Sequence, residues 1–421
     1  LFAAGGMSAT MAQGQVGESA RAQKALDEII VTAEKREASL QEVPITISAF
    51  SGARLAASGI EDSQSLVMVT PGLSFASDGG MGKVSIRGIG SPFLQGPGVD
   101  PSAAVYIDGV YQSRFTASAF DLMDVERIEV LKGPQGTLYG RNATSGAIKV
   151  ISKDPGNEFG GDISIKIGDY NLHSIKLMLD TPLIEDKLLL RTALVRTTRD
   201  GYTEDVLNGY ESDFDDLKAG RFTLKYLASD TLDITLHGTV INDDGDFGAI
   251  KHFVDPDGAF FGSAMIIDDP RKVAHDFGPR EAPTRVRALD ATIKWDLGDM
   301  ELTSITGYTH NEEGPWREDL DATEIAGFNQ SNLDGDGGLY FDTRTFSQEI
   351  NLASVGDSKL EWIVGVYYLR DKPLWITGID VPMFSLPLEQ FNTRVATSAY
   401  AVFGHVTYSI TEQLRLNLGL R

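Results

Sequence analysis

The sequence predicts a small α+β domain followed by a long run of antiparallel strands that make up part of a transmembrane β-barrel. Three observations lead there. None of the 421 residues sit in a stretch approaching the ~18 consecutive apolar residues of a spanning helix, so a helical membrane protein is excluded. Beyond Pro155, helix signals give way to period-two alternation of apolar and charged residues. The links between those alternating segments are tight and long in turn, an asymmetry that outer-membrane barrels share.

Residues 1–12 are small and apolar and lead into a polar stretch, which reads as the tail of a secretory signal cleaved after Ala12. Residues 13–34 form a polar N-terminal segment, and residues 35–155 form the α+β domain. Within it, Ser51 caps a short helix that Gly59 ends. A second helix is expected over Asp62–Met68, stopped by Thr70-Pro71-Gly72. Short strands are expected at 84–89, 104–111, 127–133 and 147–153.

Residues 156–421 carry the alternation. Leu232, Ile234, Leu236 and Val240 alternate with Asp233, Thr235, His237 and Thr239. Leu289, Ala291, Ile293 and Trp295 alternate with Asp290, Thr292, Lys294 and Asp296, and leucines 414–420 alternate with Arg415, Asn417 and Gly419. One apolar and one charged face suit a wall between lipid and a wet lumen, although a sandwich in water alternates in the same way. The connections separate the two. Eleven strands are expected, near 161–168, 171–179, 187–198, 217–228, 231–242, 285–297, 299–311, 343–354, 359–371, 393–409 and 413–421. Apart from a short first outer link at 168–171, tight links at 180–187, 228–231, 297–299, 355–358 and 409–413 alternate with long ones at 199–216, 243–284, 312–342 and 372–392. A sandwich has no reason for this asymmetry. The pattern stops within a strand at Arg421, and eleven is half of the roughly 22 strands of plugged transporters, so a fragment is expected.

Composition removes several functions. There is no cysteine, which rules out a disulfide framework, a thiolate metal site and a cysteine nucleophile. A net charge of −23 argues against nucleic acid as a partner. Most of that charge lies in the long links: 199–216, 243–284 and 312–342 carry −6, −5 and −8. Charge solubilises such loops, and it also makes an acidic mouth that concentrates cations.

The motifs of the first 155 residues are specific. The runs DEIIVTAEKREASLQEVPITISAFSGARLAASGIEDSQSLVMVTPGLSF, VSIRGIG, AVYIDGVYQSR and DVERIEVLKGPQGTLYGRNATSGAIKVISKDP together resemble a TonB-dependent outer-membrane receptor of the iron-complex type. The match is nearly continuous from Asp27 to Pro155, and the later strands match in style. The resemblance implies an α+β plug domain inside an antiparallel transmembrane β-barrel. It places the chain in the Gram-negative outer membrane as a multi-pass protein with a periplasmic N-terminus.

It also assigns roles. Glu28, Ile29, Ile30, Val31, Thr32 and Ala33 resemble the TonB box, which the periplasmic energy-coupling protein TonB grips. Its β-branched run suits strand addition to a partner's sheet edge. Arg87, Glu126, Glu129, Lys132 and Arg141 resemble charges that lock plug to barrel wall. Lys132 stands where an Arg is more typical and cannot make the same bidentate pair. The apical segments Ser77–Lys83 and Ser91–Pro101 are expected to meet ligand, with Phe93 and Gln95 as contacts.

Other signals fall away. Gly82-Lys83 lacks the first glycine and the Ser/Thr of a phosphate loop, and the calcium-like run from Asn332 puts Thr343 where Glu is needed. The six histidines show no metal spacing, and no catalytic arrangement or cofactor motif is present, so neither enzyme, metal site nor cofactor is expected. The expected function is TonB-dependent active transport across the outer membrane, with a ferric siderophore as the leading ligand. A saccharide, an aromatic compound or another organic nutrient is the alternative cargo. A passive porin and a soluble β-rich binding protein are the readings from other classes.

Overall fold

A computed structural model describes residues 30–421 apart from 33, 34, 37, 42, 63, 79, 80, 92–95, 97, 115–122, 247–266, 276–281, 317, 320–328, 331–337, 357, 382–385 and 412. The chain begins with a two-strand ladder, β1 (Ile30–Val31) against β2 (Ala38–Ser39). The N-terminal domain then runs β3 (Thr46–Ser51), α1 (Gly52–Ala57), α2 (Leu66–Val69), β4 (Leu73–Asp78), β5 (Met81–Ile86), β6 (Ile89–Gly90), β7 (Ala103–Ile107), β8 (Val110–Tyr111), β9 (Val125–Lys132), α3 (Gly136–Tyr139) and β10 (Gly146–Ser152). Five of these strands form one sheet in the order β3-β9-β10-β7-β8, and β4-β5-β6 form a second.

Local chemistry sets the boundaries. Ser51 Oγ accepts the Arg54 N–H, and Gly59 at φ +69° ends the turn after α1, as the sequence predicts. The second helix is shorter than expected. The Asp62 carboxylate takes the Ser65 N–H at 2.7 Å, which holds the first residues in a turn and delays the helix to Leu66. Asp108-Gly109, with φ +48° and +82°, makes the tight turn between β7 and β8. The expected strand over 84–89 stops at Ile86, because Arg87 turns to φ +54°. Ile128, Val130, Ile148 and Val150 point to one face of the main sheet and pack with Leu55, Leu66 and Ile86.

The large sheet pairs in chain order. Its strands are β11 (Gly160–Gly168), β12 (Leu172–Ile184), β13 (Leu188–Arg199), β16 (Asp215–Ser229), β17 (Leu232–Asp243), β19 (Thr284–Asp296), β20 (Met300–Trp316), β23 (Leu339–Ser354), β24 (Leu360–Val381), β26 (Thr397–Ser409) and β27 (Arg415–Leu420). Small strands decorate the long connections: β14 (Thr203–Asp205), β15 (Glu211–Ser212) and β18 (Lys272–Val273) form their own sheet, β21 (Glu318–Asp319) pairs β22 (Asn329–Gln330), and β25 (Leu386–Arg394) pairs the end of β24.

The eleven expected strands all appear, with two corrections. Residues 180–184, expected in a link, continue β12, and Pro182 is accommodated beside a register shift. Residues 372–381 and 386–392, expected in a long link, extend the sheet as a hairpin, and β20 and β23 likewise run into the link expected at 312–342. Alternation follows the expected sense: Leu289, Ile293 and Trp295 are exposed on the convex face, while His237, Thr239 and Asp290 are buried on the concave face. That concave face holds the N-terminal domain.

Candidate functional site

The functional centre is built on the face of the domain's main sheet opposite its apolar core. Register places Glu129 on β9 directly across from Lys149 on β10. Glu129 has no exposed surface at all, an arrangement that demands partners. They come from the N-terminal segment. The Thr32 backbone N–H and hydroxyl donate to Glu129 Oε1 at 2.9 and 3.2 Å, Arg127 Nε donates at 2.9 Å, and Lys149 Nζ donates to Oε2 at 3.2 Å. Lys149 also donates to the Thr32 carbonyl at 2.6 Å and to its hydroxyl, and the Tyr139 hydroxyl reaches that carbonyl at 3.3 Å. Thr32 is thus bound through every polar atom it has.

Electrostatics explain why the cluster tolerates burial. Burial pushes the Glu129 carboxyl up, but Lys149, the Thr32 N–H and Arg127 together outweigh it and hold it below the ordinary carboxylate range. Burial pushes the Lys149 ammonium down to about 8, with Glu129 resisting. Beside them Val31 is fully buried among Ala49, Tyr106, Leu131 and Ala147, and the same cluster continues into Ala353, Ile363, Leu369 and Phe403 of the large sheet. Two further cations of the segment cross to that sheet, Lys35 to Glu349 at 2.5 Å and Arg36 to Glu361 at 2.8 Å.

The rest of the domain is held to the concave face by polar contacts. Arg191 on β13 makes a bidentate pair with Asp124, both bonds 2.7 Å, and also binds Asp180. Arg221 donates to Ser152, and Lys225 pairs with Asp154 at 2.5 Å. Lys166 and Lys176 approach Glu61 at 3.4 and 3.9 Å. Close approach needs a bare backbone at one point: a side-chain carbon at Gly307 would collide with Val110 at the tip of the β7–β8 turn.

Toward the long connections, the concave face changes. Asn311, Glu313 and Thr343 are buried there with side-chain oxygens that lack hydrogen-bond partners, and both Glu313 oxygens are among them. Phe341 stacks with Trp375 at 6.4 Å between centroids, and the Arg114 guanidinium sits over the Phe341 ring at 4.7 Å. Such a mix of aromatic faces and polar groups lines ligand pockets.

Comparison with known proteins fits this arrangement. Residues 39–147 match the family model of the TonB-dependent receptor plug domain. That region is a TonB-dependent receptor plug domain. The chain is 34% identical over 188 residues to the pesticin receptor of Yersinia pestis, covering 43% of this chain and 26% of that protein. It is 31% identical over 142 residues to the catecholate siderophore receptor Fiu of Escherichia coli O157:H7, covering 34% of this chain and 18% of that one. The fold matches the crystal structure of the ferric yersiniabactin uptake receptor FyuA from Yersinia pestis with a TM-score of 0.75 at 19% identity, over 89% of this chain and 56% of FyuA. It matches the siderophore receptor PiuA of Acinetobacter baumannii at 0.72 and 16% identity, over 91% and 58%. The chain therefore spans little more than half the length of these solved receptors.

Within the plug, the residues singled out from sequence take different places. Val31 and Thr32 of the expected TonB box pack on the plug as described and Ile30 is exposed opposite Ser39, whereas Glu28, Ile29 and Ala33 lie outside the described residues, as do Phe93 and Gln95. The five lock residues do not pair with acids of the large sheet among the described residues. Glu129 pairs inside the plug, and Arg141 binds Asp100 of the plug, which outweighs the effect of burial and raises its pKa. Lys132 donates to the Pro71 carbonyl at 2.8 Å, and burial and then neighbouring Arg87 lower its pKa. Arg87 and Glu126 are exposed.

The pairs that do join plug to sheet use Asp124, Asp154 and Glu61, which sequence reading passed over because a lone acid near a turn carries no pattern. A second omission is His310, which lies with Glu312 and Asp342 so that ligand atoms of all three fall within 4.8 Å. The spacing is invisible in sequence because Asp342 comes from the neighbouring strand. His310 already bonds Asp342 at 3.0 Å, and Arg344 binds the same carboxylate at 3.3 Å, which disfavours a metal there.

Proposed function

We propose that this chain provides the plug and adjoining wall of a transporter that imports a ferric siderophore across the Gram-negative outer membrane, powered through TonB. The carrying observation is the docked N-terminal segment: Thr32 is held on the plug by hydrogen bonds to Glu129, Lys149 and Tyr139, and Val31 beside it is buried in the apolar cluster between plug and wall. A filled wall cannot conduct passively, so work must be applied to move the plug. A short β-branched segment offers a pairing edge for TonB, and polar contacts between plug and wall exchange with water as they open. Relatives whose names specify catecholate siderophores and ferric yersiniabactin favour an iron chelate as cargo. The buried aromatic and polar groups around Phe341 and Glu313 suit its seat.

Uptake assays test this reading. A deletion strain complemented with the full-length protein should regain growth on ferric siderophores under iron starvation, and a Val31→Pro version should not, because proline removes a pairing N–H. Growth restored only on a saccharide or an aromatic compound would move the cargo to those classes. Equal uptake by the Val31→Pro version would refute TonB coupling.

A further inference from the structure

The concave face of the wall changes chemistry toward its loop end, and the strand register sets out the change row by row. One row places Thr309 beside Thr345 and Asp371. The next, two residues further along the strands, aligns Ile241, Val286, Asn311 and Thr343. The row beyond it aligns Thr284, Glu313, Phe341 and Trp375. Thr309 and Asn311 border an opening of about 560 Å³, partly continuous with solvent, which Gln112 and Arg114 of the plug line from the other side. That is room enough for part of a small-molecule ligand. Glu313 is the next inward position along the same strand.

The oxygens on these rows are unsatisfied as a group. Asn311 is 5% exposed, and Glu313 and Thr343 are 1% exposed each. Asn311 Oδ1, Thr343 Oγ1 and both Glu313 oxygens lack a hydrogen-bond partner among the described residues. Acceptors dominate, so the cluster calls for donors from outside itself. The carboxylate is its most demanding member, because a buried anion is costly without a partner. Arg114 is the one cation that reaches it electrostatically among the described residues. That guanidinium sits over the Phe341 ring, donates to the Gly96 carbonyl at 3.1 Å and is shared with Asp371. Two acids thus meet one cation here, beneath long links that are themselves acidic. A polyanion entering this place meets like charge, whereas a cation meets a partner.

We propose that Glu313 is a specificity-determining residue whose carboxylate receives a cationic amine of the cargo, so that the protein selects ferric chelates bearing an ammonium group over polyanionic ones. The inference rests on the ferric-siderophore reading given above and deepens it. Asn311 and Thr343 take neutral donors of the same molecule. Phe341 and Trp375, stacked in the row of Glu313, offer aromatic faces to the same ammonium. Chelate chemistry separates the classes cleanly. Three hydroxamates cancel the charge of Fe(III), so a pendant ammonium makes the whole complex a cation. Three catecholates leave it a trianion. The acidic links outside raise the local concentration of the first and repel the second.

Isothermal titration calorimetry on the full-length protein tests this with three probes. The first is the ferric complex of the linear tris-hydroxamate desferrioxamine B, which carries a free ammonium. The second is its N-acetylated form, in which that charge is removed, and the third is a synthetic ferric tris-catecholate. Wild type should bind the ammonium form at least about tenfold more tightly than the acetylated form, and the tris-catecholate most weakly. Glu313→Gln, isosteric and uncharged, should lose about tenfold on the ammonium form while keeping its affinity for the acetylated form within about twofold. Glu313→Asp should retain part of the preference. Equal affinity of wild type for the two hydroxamate forms, equal loss of both in Glu313→Gln, or tightest binding of the tris-catecholate would each overturn the proposal, as would binding of none of the three. Heat-modifiable migration verifies folding of every variant. Growth on ferric siderophores under iron starvation is scored separately, so a failure of the transport reading is distinguishable from a failure of charge selection.

Discussion

The two surfaces of the plug's main sheet are built differently, one wholly apolar and the other with buried charges set among apolar residues. One is a dry core of Ile128, Val130, Ile148 and Val150 against the short helices. The other carries Glu129 and Lys149 and is finished by Thr32 from the N-terminal segment and by Arg191, Lys225 and Glu349 contacts involving the large sheet. The difference teaches what each surface is for. An apolar core keeps the domain intact when its surroundings change. The opposite interface mixes ion pairs with an apolar cluster that includes Val31, Leu131, Ile363 and Phe403, and the proposed movement of the plug would release the ion pairs into water.

The contrast breaks most visibly at Arg191. Replacing it by Ala leaves Asp124 buried without its bidentate partner, and the expected loss is about 3–5 kcal/mol. Hydrogen exchange should show faster opening around Asp124 and Ser152, and Asp124→Ala added to Arg191→Ala should restore part of the loss. Ile128→Ala attacks the other surface. A cavity in the dry core is expected to lower plug stability by about 3 kcal/mol while the wall keeps its heat-modifiable migration.

Acid sharpens the comparison further. Because the folded Glu129 pKa is depressed, its contribution is present above the ordinary carboxylate range and is lost as pH falls through the folded value. A nitroxide at Ile30→Cys, attached uniquely because the chain has no cysteine, should stay immobile at neutral pH and become mobile in acid, with no such change in the dry core. The smallest effect is expected at Lys225→Ala. Its partner Asp154 is 61% exposed, so the change should be below about 1 kcal/mol by thermal unfolding.

Much of this was legible beforehand. Period-two alternation from Leu232 through Leu420 gives the strands and their outward apolar side, because apolar and polar residues fall on opposite faces of each. The Ser51 cap is local chemistry and also reads directly, whereas the Asp108-Gly109 turn divides into a hairpin what was expected as a single strand over 104–111. Pairings between distant segments do not. Glu129 stands out as a charge in an apolar strand, but that it meets Lys149 and Thr32 depends on register and on a segment 97 residues away. The continuation of β12 through Pro182 and the hairpin over 372–394 were hidden for a related reason, since proline and polar residues look like loop until the sheet supplies a bulge and a partner strand.

The central claim is that the Glu129 carboxylate holds the N-terminal segment on the plug. Continuous-wave EPR of the Ile30→Cys nitroxide in full-length protein measures that directly, with and without Glu129→Gln. An immobile label that becomes mobile in the Glu129→Gln background is the predicted result; identical spectra in the two backgrounds would contradict it.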